Sequence, residues 1–350
     1  MTNPPSSWIR EAGVRIEGSN GLDLSKVQAP CVVQNPHGGY RLFYTAIGPD
    51  RPYPACQGYI LSAVSENGLD FVKEHGIRLC PIPGKSHISL RVLSPTVTLL
   101  GDGRWRMYVE ARGTVDHPPV ITSAISRDQV TWEHETGIRF STKDGVGGPR
   151  CHSSDNHVRL LVCCDEYGVQ RRRSGKRLQR NVVSALSSDG LHFIQEPGYC
   201  MTSQQGPWDD LGITAAQLLS PYKDGAPWSL IYSAWQDAPP GLDVPVHPSD
   251  PSGSPNASLP FDFARASIAS DMAGYRSRIF SAHSEDGYNF DSTQCILQGS
   301  GHHAEGLDSV HAEDMSIIAI EHDKYRMYYA ACDRHGSWRI ASAVCRSPLP

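Results

Sequence analysis

The sequence predicts an all-β fold, a five-bladed β-propeller, and three observations carry that prediction. One corner signature recurs: Ser65-Glu66-Asn67-Gly68 running to Phe71, Ser126-Arg127-Asp128-Gln129 to Trp132, Ser187-Ser188-Asp189-Gly190 to Phe193, and Ser284-Glu285-Asp286-Gly287 to Phe290. Its spacing is regular. Ser65, Ser126 and Ser187 stand 61 residues apart (126 − 65 and 187 − 126), Ser284 follows after 97 (284 − 187), and one more period reaches Ser342-Ala343-Val344-Cys345. The ends of the chain also complement each other, because Ser7 to Ile16 matches Thr131 to Phe140 while the fifth unit lacks a last strand. A fixed period of this size marks one supersecondary unit stacked repeatedly, each copy burying the face its neighbour exposes.

Each unit opens on a small or polar residue before an apolar run, as in Ala29-Pro30-Cys31-Val32-Val33 and Ser94-Pro95-Thr96-Val97-Thr98. A turn rich in Gly, Asp and His follows, such as Pro36-His37-Gly38-Gly39 or Gly101-Asp102-Gly103. Next comes an aromatic strand: Tyr40-Arg41-Leu42-Phe43-Tyr44, Trp105-Arg106-Met107-Tyr108-Val109, Tyr325-Arg326-Met327-Tyr328-Tyr329. After a loop, Ser-Ala-x-Ser leads into the corner and a last strand. Short strands joined by Asn-Gly or Asp-Gly turns are antiparallel hairpins, so each unit is a four-stranded blade. The N-terminal segment is expected to supply the missing outer strand of the last blade, which removes two open sheet edges. The rival is a β-sandwich with accidental internal similarity. A closed ring makes residues 1–350 a single domain.

Composition narrows the partners. A net charge of −5 and a pI near 6.3 exert no global pull on nucleic acid or anionic membrane, and no apolar stretch is long enough for a bilayer. Met1 to Pro5 has no signal-peptide pattern, so a cytoplasmic location is expected. There are 10 cysteines but no C-x-x-C pair, and Cys31, Cys163, Cys164, Cys332 and Cys345 fall inside strands as small core hydrophobes. Neither a cofactor nor a metal is expected, since His302, His303, His311 and Asp314 have no stringent ligand spacing.

Alternating strand direction sends the loops to two opposite faces, and every long insertion belongs to one of them. Blade 1 contributes Ile47 to Gln57 and blade 3 contributes Tyr167 to Arg180 with Arg171-Arg172-Arg173. Blade 4 carries the longest, about 236–277, with a possible short helix from Phe261 to Met272; it reads equally as a lid or a surface excursion. Loops gathered over a ring of strand starts describe a pocket at the mouth of the central channel.

The first-strand x-Pro pattern (Ala29-Pro30, Ser94-Pro95, Gly148-Pro149), the Gly-Tyr-Arg-Leu-Phe-Tyr type second strand and the Ser-x-Asp-Gly corner give a family likeness over nearly the whole chain. The chain resembles the five-bladed propeller glycoside hydrolases, the arabinanase/xylosidase and invertase-like clan with the mannoside phosphorylase-like families. That resemblance implies a sugar-like ligand and an acid–base pair, with Asp before the Pro in certain first strands and Glu in another. Two carboxylates are needed because one protonates the leaving oxygen while the other activates water or attacks the anomeric carbon. Here Ala29, Ser94 and Gly148 hold those positions, and Ile213-Thr214-Ala215-Ala216-Gln217 in blade 4 is also neutral.

Blade 5 differs, since alignment of the second strands sets Asp314 at the position of Ser94, preceded by Glu313 and, further out, His311. The penultimate second-strand position reads Thr45, Glu110, Cys163, Ser233 and Ala330, so Glu110 is a second acid in a row of small residues; a salt bridge to Arg112 or Arg91 is the competing role. Catalytic candidates are therefore Glu110, Asp314, His311 and His152. Binding candidates are Arg91, Arg150 and Arg334 as forked donors to an anionic ligand, His87, Ser94, Gln217 and Glu313 at strand starts, and Trp208 and Trp235 as stacking surfaces. The reading is a small-molecule enzyme doing acid/base chemistry on a sugar-like or polar metabolite. That means either glycoside hydrolysis or a repurposed cyclisation, elimination or isomerisation of specialised metabolism. The alternative is a non-catalytic carbohydrate-binding or scaffold propeller.

Overall fold

The computed structural model describes residues 7–114, 117–154, 156–166, 179–203, 212–237, 275–347 and 349–350. The expected lid, its Phe261–Met272 helix, the arginine run of blade 3 and Trp208 lie outside those residues. Five antiparallel sheets form a five-bladed propeller. Blade 1 is β3 (Lys26–Gln34), β4 (Tyr40–Ile47), β5 (Tyr59–Ser65) and β6 (Val72–Lys73); blade 2 is β7 (Arg91–Leu99), β8 (Trp105–Arg112), β9 (Val120–Ser126) and β10 (Glu133–His134). Blade 3 is β11 (Val146–Ser153), β12 (Val158–Glu166), β13 (Gln179–Ser187) and β14 (Ile194–Gln195). Blade 4 is β15 (Gly212–Leu219), β16 (Trp228–Asp237), β17 (Tyr275–Ser284) and β18 (Asp291–Gln298). Blade 5 is β19 (His311–Glu321), β20 (Lys324–Cys332) and β21 (Trp338–Arg346), completed by β1 (Ile9–Arg10) and β2 (Ile16–Glu17). Among the described residues no helix is long and apolar enough to cross a membrane.

The N-terminal segment closes the ring as its sequence match requires. Ile9 pairs with Val344 and Ile16 with Ile340, both antiparallel. Trp8 is buried among Ile317, Met327 and Ala343. The closure also reproduces a network that the other blades make internally. In blade 2 the Arg106 guanidinium grips Glu135 with two donors (2.8 and 2.9 Å) and Ser123 donates to the same carboxylate (2.6 Å). Arg41, Glu74 and Ser62 repeat this in blade 1, and Arg159, Glu196 and Ser184 in blade 3. In blade 5 the carboxylate comes from the N-terminal segment: Arg326 donates to Glu11 at 2.8 and 3.0 Å, and Ser342 at 2.7 Å. Blade 4 has no such Glu, and Ser281 finds no partner for its hydroxyl among the described residues.

The corner signature is an inter-blade joint. Asp189 Oδ1 accepts from the amides of Leu191 and His192, and Ser187 Oγ accepts from Gly190, so the turn satisfies its own backbone. The preceding blade then docks on it: Arg106 Nη1 donates to Asp189 O (2.9 Å) and the Tyr108 hydroxyl to Gly190 O (2.9 Å). A Cβ on Gly190, whose φ is +69°, would lie 2.4 Å from Arg106 Nη1 and 2.8 Å from the Tyr108 hydroxyl, which is why the residue is Gly. Blade 2 has Gln129 there, at φ 63°. It faces Phe43 of blade 1, which has no hydroxyl to accommodate, and its amide donates to Asn35 instead (2.8 Å). The aromatic residue that ends the signature packs edge-on against the same strand in three joints: Trp132 on Phe43, Phe193 on Tyr108 and Phe71 on Tyr328, at 5.6–5.9 Å.

Candidate functional site at the channel mouth

The innermost strands β3, β7, β11, β15 and β19 ring the axis, and each carries a one-residue bulge at the same level. Register slips between Gln28 and Cys31, Leu93 and Thr96, Gly147 and Arg150, Ile213 and Ala215, and Glu313 and Ser316. The residue before the proline, or its equivalent, is left-handed in four of these bulges: Ala29 (φ 49°), Ser94 (52°), Gly148 (57°) and Asp314 (54°). Non-glycine residues adopt this conformation only where the surroundings hold it, and bulges are where a strand re-aims a side chain. Asp314 therefore sits in the row of Ser94, as the alignment expects, and is the only carboxylate in that row.

The amide of the left-handed residue is held by the preceding blade. Ser94 N–H donates to Thr45 Oγ1 (2.9 Å), Gly148 N–H to Glu110 Oε2 (3.2 Å) and Asp314 N–H to Ser233 Oγ (3.1 Å). This gives the penultimate second-strand row a shared task, and Glu110 performs it with one oxygen. Its other oxygen accepts from Arg112 Nε (2.7 Å), so both sides of that buried carboxylate are engaged. Arg91 lies in the same cluster. Burial and the Arg112 charge make its protonation less favourable than usual, and Glu110 opposes them.

A second ring of contacts joins the innermost strands one step along from the bulges. Val97 N–H donates to Cys31 Sγ, Cys151 N–H to Thr96 Oγ1, Ile317 N–H to Gln217 Oε1 and Val32 N–H to Ser316 Oγ. Gln217 returns a bond from Nε2 to Ile317 O (2.8 Å), so it joins blades 4 and 5. Arg150 holds the blade 3 place in this ring and behaves differently. Its guanidinium crosses from β11 to β19, donating to Met315 O (3.1 Å) and Asp314 O (3.3 Å) as well as to its own neighbour Pro149 O (2.8 Å).

Asp314 senses charges from four blades, which only a group near the axis can do. Burial and the Glu313 charge, with a smaller push from Glu110, drive its carboxyl up to about 7, against the pull of Arg150 and Lys26. Among the described residues its carboxyl oxygens accept no hydrogen bond. Glu313 is fixed by the Trp235 indole N–H (2.8 Å), and Trp235 lies within β16, partly exposed. Buried His311 is hydrogen-bonded through Nδ1 to Ser277 Oγ (3.0 Å) and stacks on Trp338 (5.4 Å between centroids), and Lys26 Nζ lies 4.3 Å from the same indole.

The other candidates sit elsewhere. His152 is toward the opposite end of β11, edge-on to Trp228 and beside Ser220 (3.4 Å); burial, Arg159 and His157 lower its proton affinity. His87 is on the rim beside Lys85 and His117, its proton affinity lowered by burial and those charges. Arg334 pairs with Glu305 and donates to His303 O. Sequence reasoning missed Lys26; it offered Arg112 as the salt-bridge partner of Glu110, which the structure shows, and placed Ser233 in its row without its task. Lys26 had a signal: it begins its strand in the same row as Arg91 and His311. No group of three or more His, Cys, Asp or Glu among the described residues is disposed to hold a metal ion.

A search of protein-family models found no match, and no curated protein matched. Solved structures did match. One belongs to a study of the family of mannoside phosphorylases containing hydrolases of β-1,2 mannosidic linkages in Candida mannan (13% identity, 99% of this chain and 98% of the other, TM-score 0.65). Another is a glycosyl hydrolase from Bacteroides ovatus (14%, 99% and 98%, TM-score 0.64), and a third a thermostable family-43 glycoside hydrolase (14%, 98% and 98%, TM-score 0.63). From end to end the chain has the architecture of the five-bladed glycoside hydrolase propellers, a likeness that at these identities extends to the fold and stops there.

Proposed function

We propose that the protein performs acid/base chemistry on a polar, sugar-like small molecule held at the channel mouth, with Asp314 moving the proton. The observation that carries this reading is a carboxyl buried near the axis, whose oxygens accept no hydrogen bond among the described residues and whose proton affinity is pushed up to about 7. A proton donor or acceptor works best when its affinity lies near the operating pH. Glu110 and Glu313 are pinned by hydrogen bonds, so they can face a positive charge that develops on the ligand, as glycoside cleavage demands of a second carboxylate. The partly exposed Trp235 indole offers an apolar face beside Glu313. Arg91 lies beside Glu110 and Lys26 acts on Asp314, and these two cations suit an anionic or hydroxyl-rich ligand.

The test is turnover of a panel of nitrophenyl glycosides, with metabolite profiling to find a substrate if none is cleaved. Asp314→Asn should lower kcat by at least about 100-fold. Full activity in both Asp314→Asn and Glu110→Gln would overturn the assignment. The neutral residues at the other bulges favour a second reading, a propeller that binds sugar without reaction. There Asp314→Asn would leave glycan affinity unchanged while Trp235→Ala abolished it.

A further inference from the structure

We propose that Arg150 is the positioning residue of Asp314, gripping that residue's peptide from across the channel while Ser233 grips its amide. The inference rests on the reading of Asp314 as the proton-transferring group. Three observations support it. The Asp314 backbone is left-handed, a conformation an L residue keeps only when its surroundings over-determine it. Its two peptide groups are held by two different blades: the N–H by Ser233 of β16, and the carbonyls of Asp314 and Met315 by the forked Arg150 of β11. Ser233 is itself seated by the Thr214 hydroxyl at 2.5 Å, so the clamp is braced from behind.

Arg150 breaks the local rule in order to do this. Cys31, Thr96, Gln217 and Ser316 each accept an amide from the next blade, and an arginine cannot accept. A long, rigid fork that reaches a non-adjacent blade has replaced a local joint. The same side chain delivers a positive charge to the acid it positions. The charged groups acting on the Asp314 carboxyl are Glu313 on its own strand, Lys26 of β3, Glu110 of β8 and Arg150 of β11. Ser233 and Trp235 of β16 are neutral.

The experiment uses the whole chain without substrate. Amide hydrogen exchange and a carbon-13 carboxyl titration of Asp314 are compared in the parent protein, Arg150→Gln and Arg150→Lys. In Arg150→Gln, exchange at Met315 and Ser316, whose amides belong to the two gripped peptide groups, should quicken about tenfold or more while Ile318 and Ala319, on the same strand, stay protected. The Asp314 midpoint should rise by about one unit, because a nearby cation has gone. Arg150→Lys keeps the charge and loses the fork, so exchange should quicken while the midpoint stays; it also serves if Arg150→Gln does not fold. A merely structural arginine would loosen the whole strand together, Ile318 and Ala319 included. Unchanged exchange at both Met315 and Ser316 in whichever variant folds would overturn the proposal. None of these readouts needs turnover, so this result and that of Asp314→Asn in the activity assay stand apart.

Discussion

Replacing Asp314 by Asn should remove a pH-dependent burden on the fold, and its size follows from the site. The carboxyl has a reference value of 3.8 and titrates at about 7 when folded. Below the reference value both states are protonated and the group is indifferent. Between the two values the native state keeps a proton that the unfolded chain releases, so stability falls as pH rises, by about 1.4 kcal/mol per pH unit. Above the folded value both are ionised and the penalty is constant at about 4 kcal/mol. Asparagine carries no such penalty. The pull of Lys26 and Arg150 on the ionised carboxyl is already contained in the folded value of about 7, and asparagine adds no titration of its own between pH 5 and 8.5. The slope, rather than the absolute stability, is therefore diagnostic. Urea unfolding of parent and variant should show the variant gaining about 3 kcal/mol on the parent between pH 5 and pH 8.5. A difference between the two proteins that is the same at both pH values would refute the placement of Asp314 in a dry, acid-flanked site.

Deleting residues 1–17 takes Trp8 and the Glu11 carboxylate from blade 5, and a soluble truncation with an unchanged melting temperature would contradict the closure. Trp8→Ala alone should cost about 3 kcal/mol in chemical denaturation. Glu135→Ala strands Arg106 and Ser123 and should cost about 2 kcal/mol, whereas removing the exposed Glu321 partner of Lys324 should leave the melting temperature essentially unchanged. Gly190→Ala should destabilise by at least about 1 kcal/mol and Gln129→Ala by less, because only the first Cβ meets a docked arginine and tyrosine hydroxyl.

The architecture was legible because its signals are periodic. The Ser-x-Asp-Gly corner announces each blade, and the likeness of Ser7–Ile16 to Thr131–Phe140 becomes a shared bond pattern: Arg15 Nη1 donates to Leu69 O and Arg139 Nη1 to Leu191 O. Alignment of the second strands also placed Asp314 and Glu110 in their rows. What those rows do was not legible. That Thr45, Glu110 and Ser233 hold the next blade's amide follows from left-handed bulges, and alternation patterns are silent about backbone sign. The reach of Arg150 was hidden as well, since a residue type gives the length of a side chain and not its destination. His152 shows the same limit, because one strand serves both the mouth and the far end of the channel.

Closure by the first segment also has a temporal side. Glu11 and Arg326 are 315 positions apart, so during synthesis the strands flanking Glu11 wait with unpaired edges until blade 5 has emerged. Contacts of such separation form slowly. The ring can therefore be sealed only as a late event, and until then a nascent chain exposes both the rim of blade 5 and the interior wall that Arg150 later bridges.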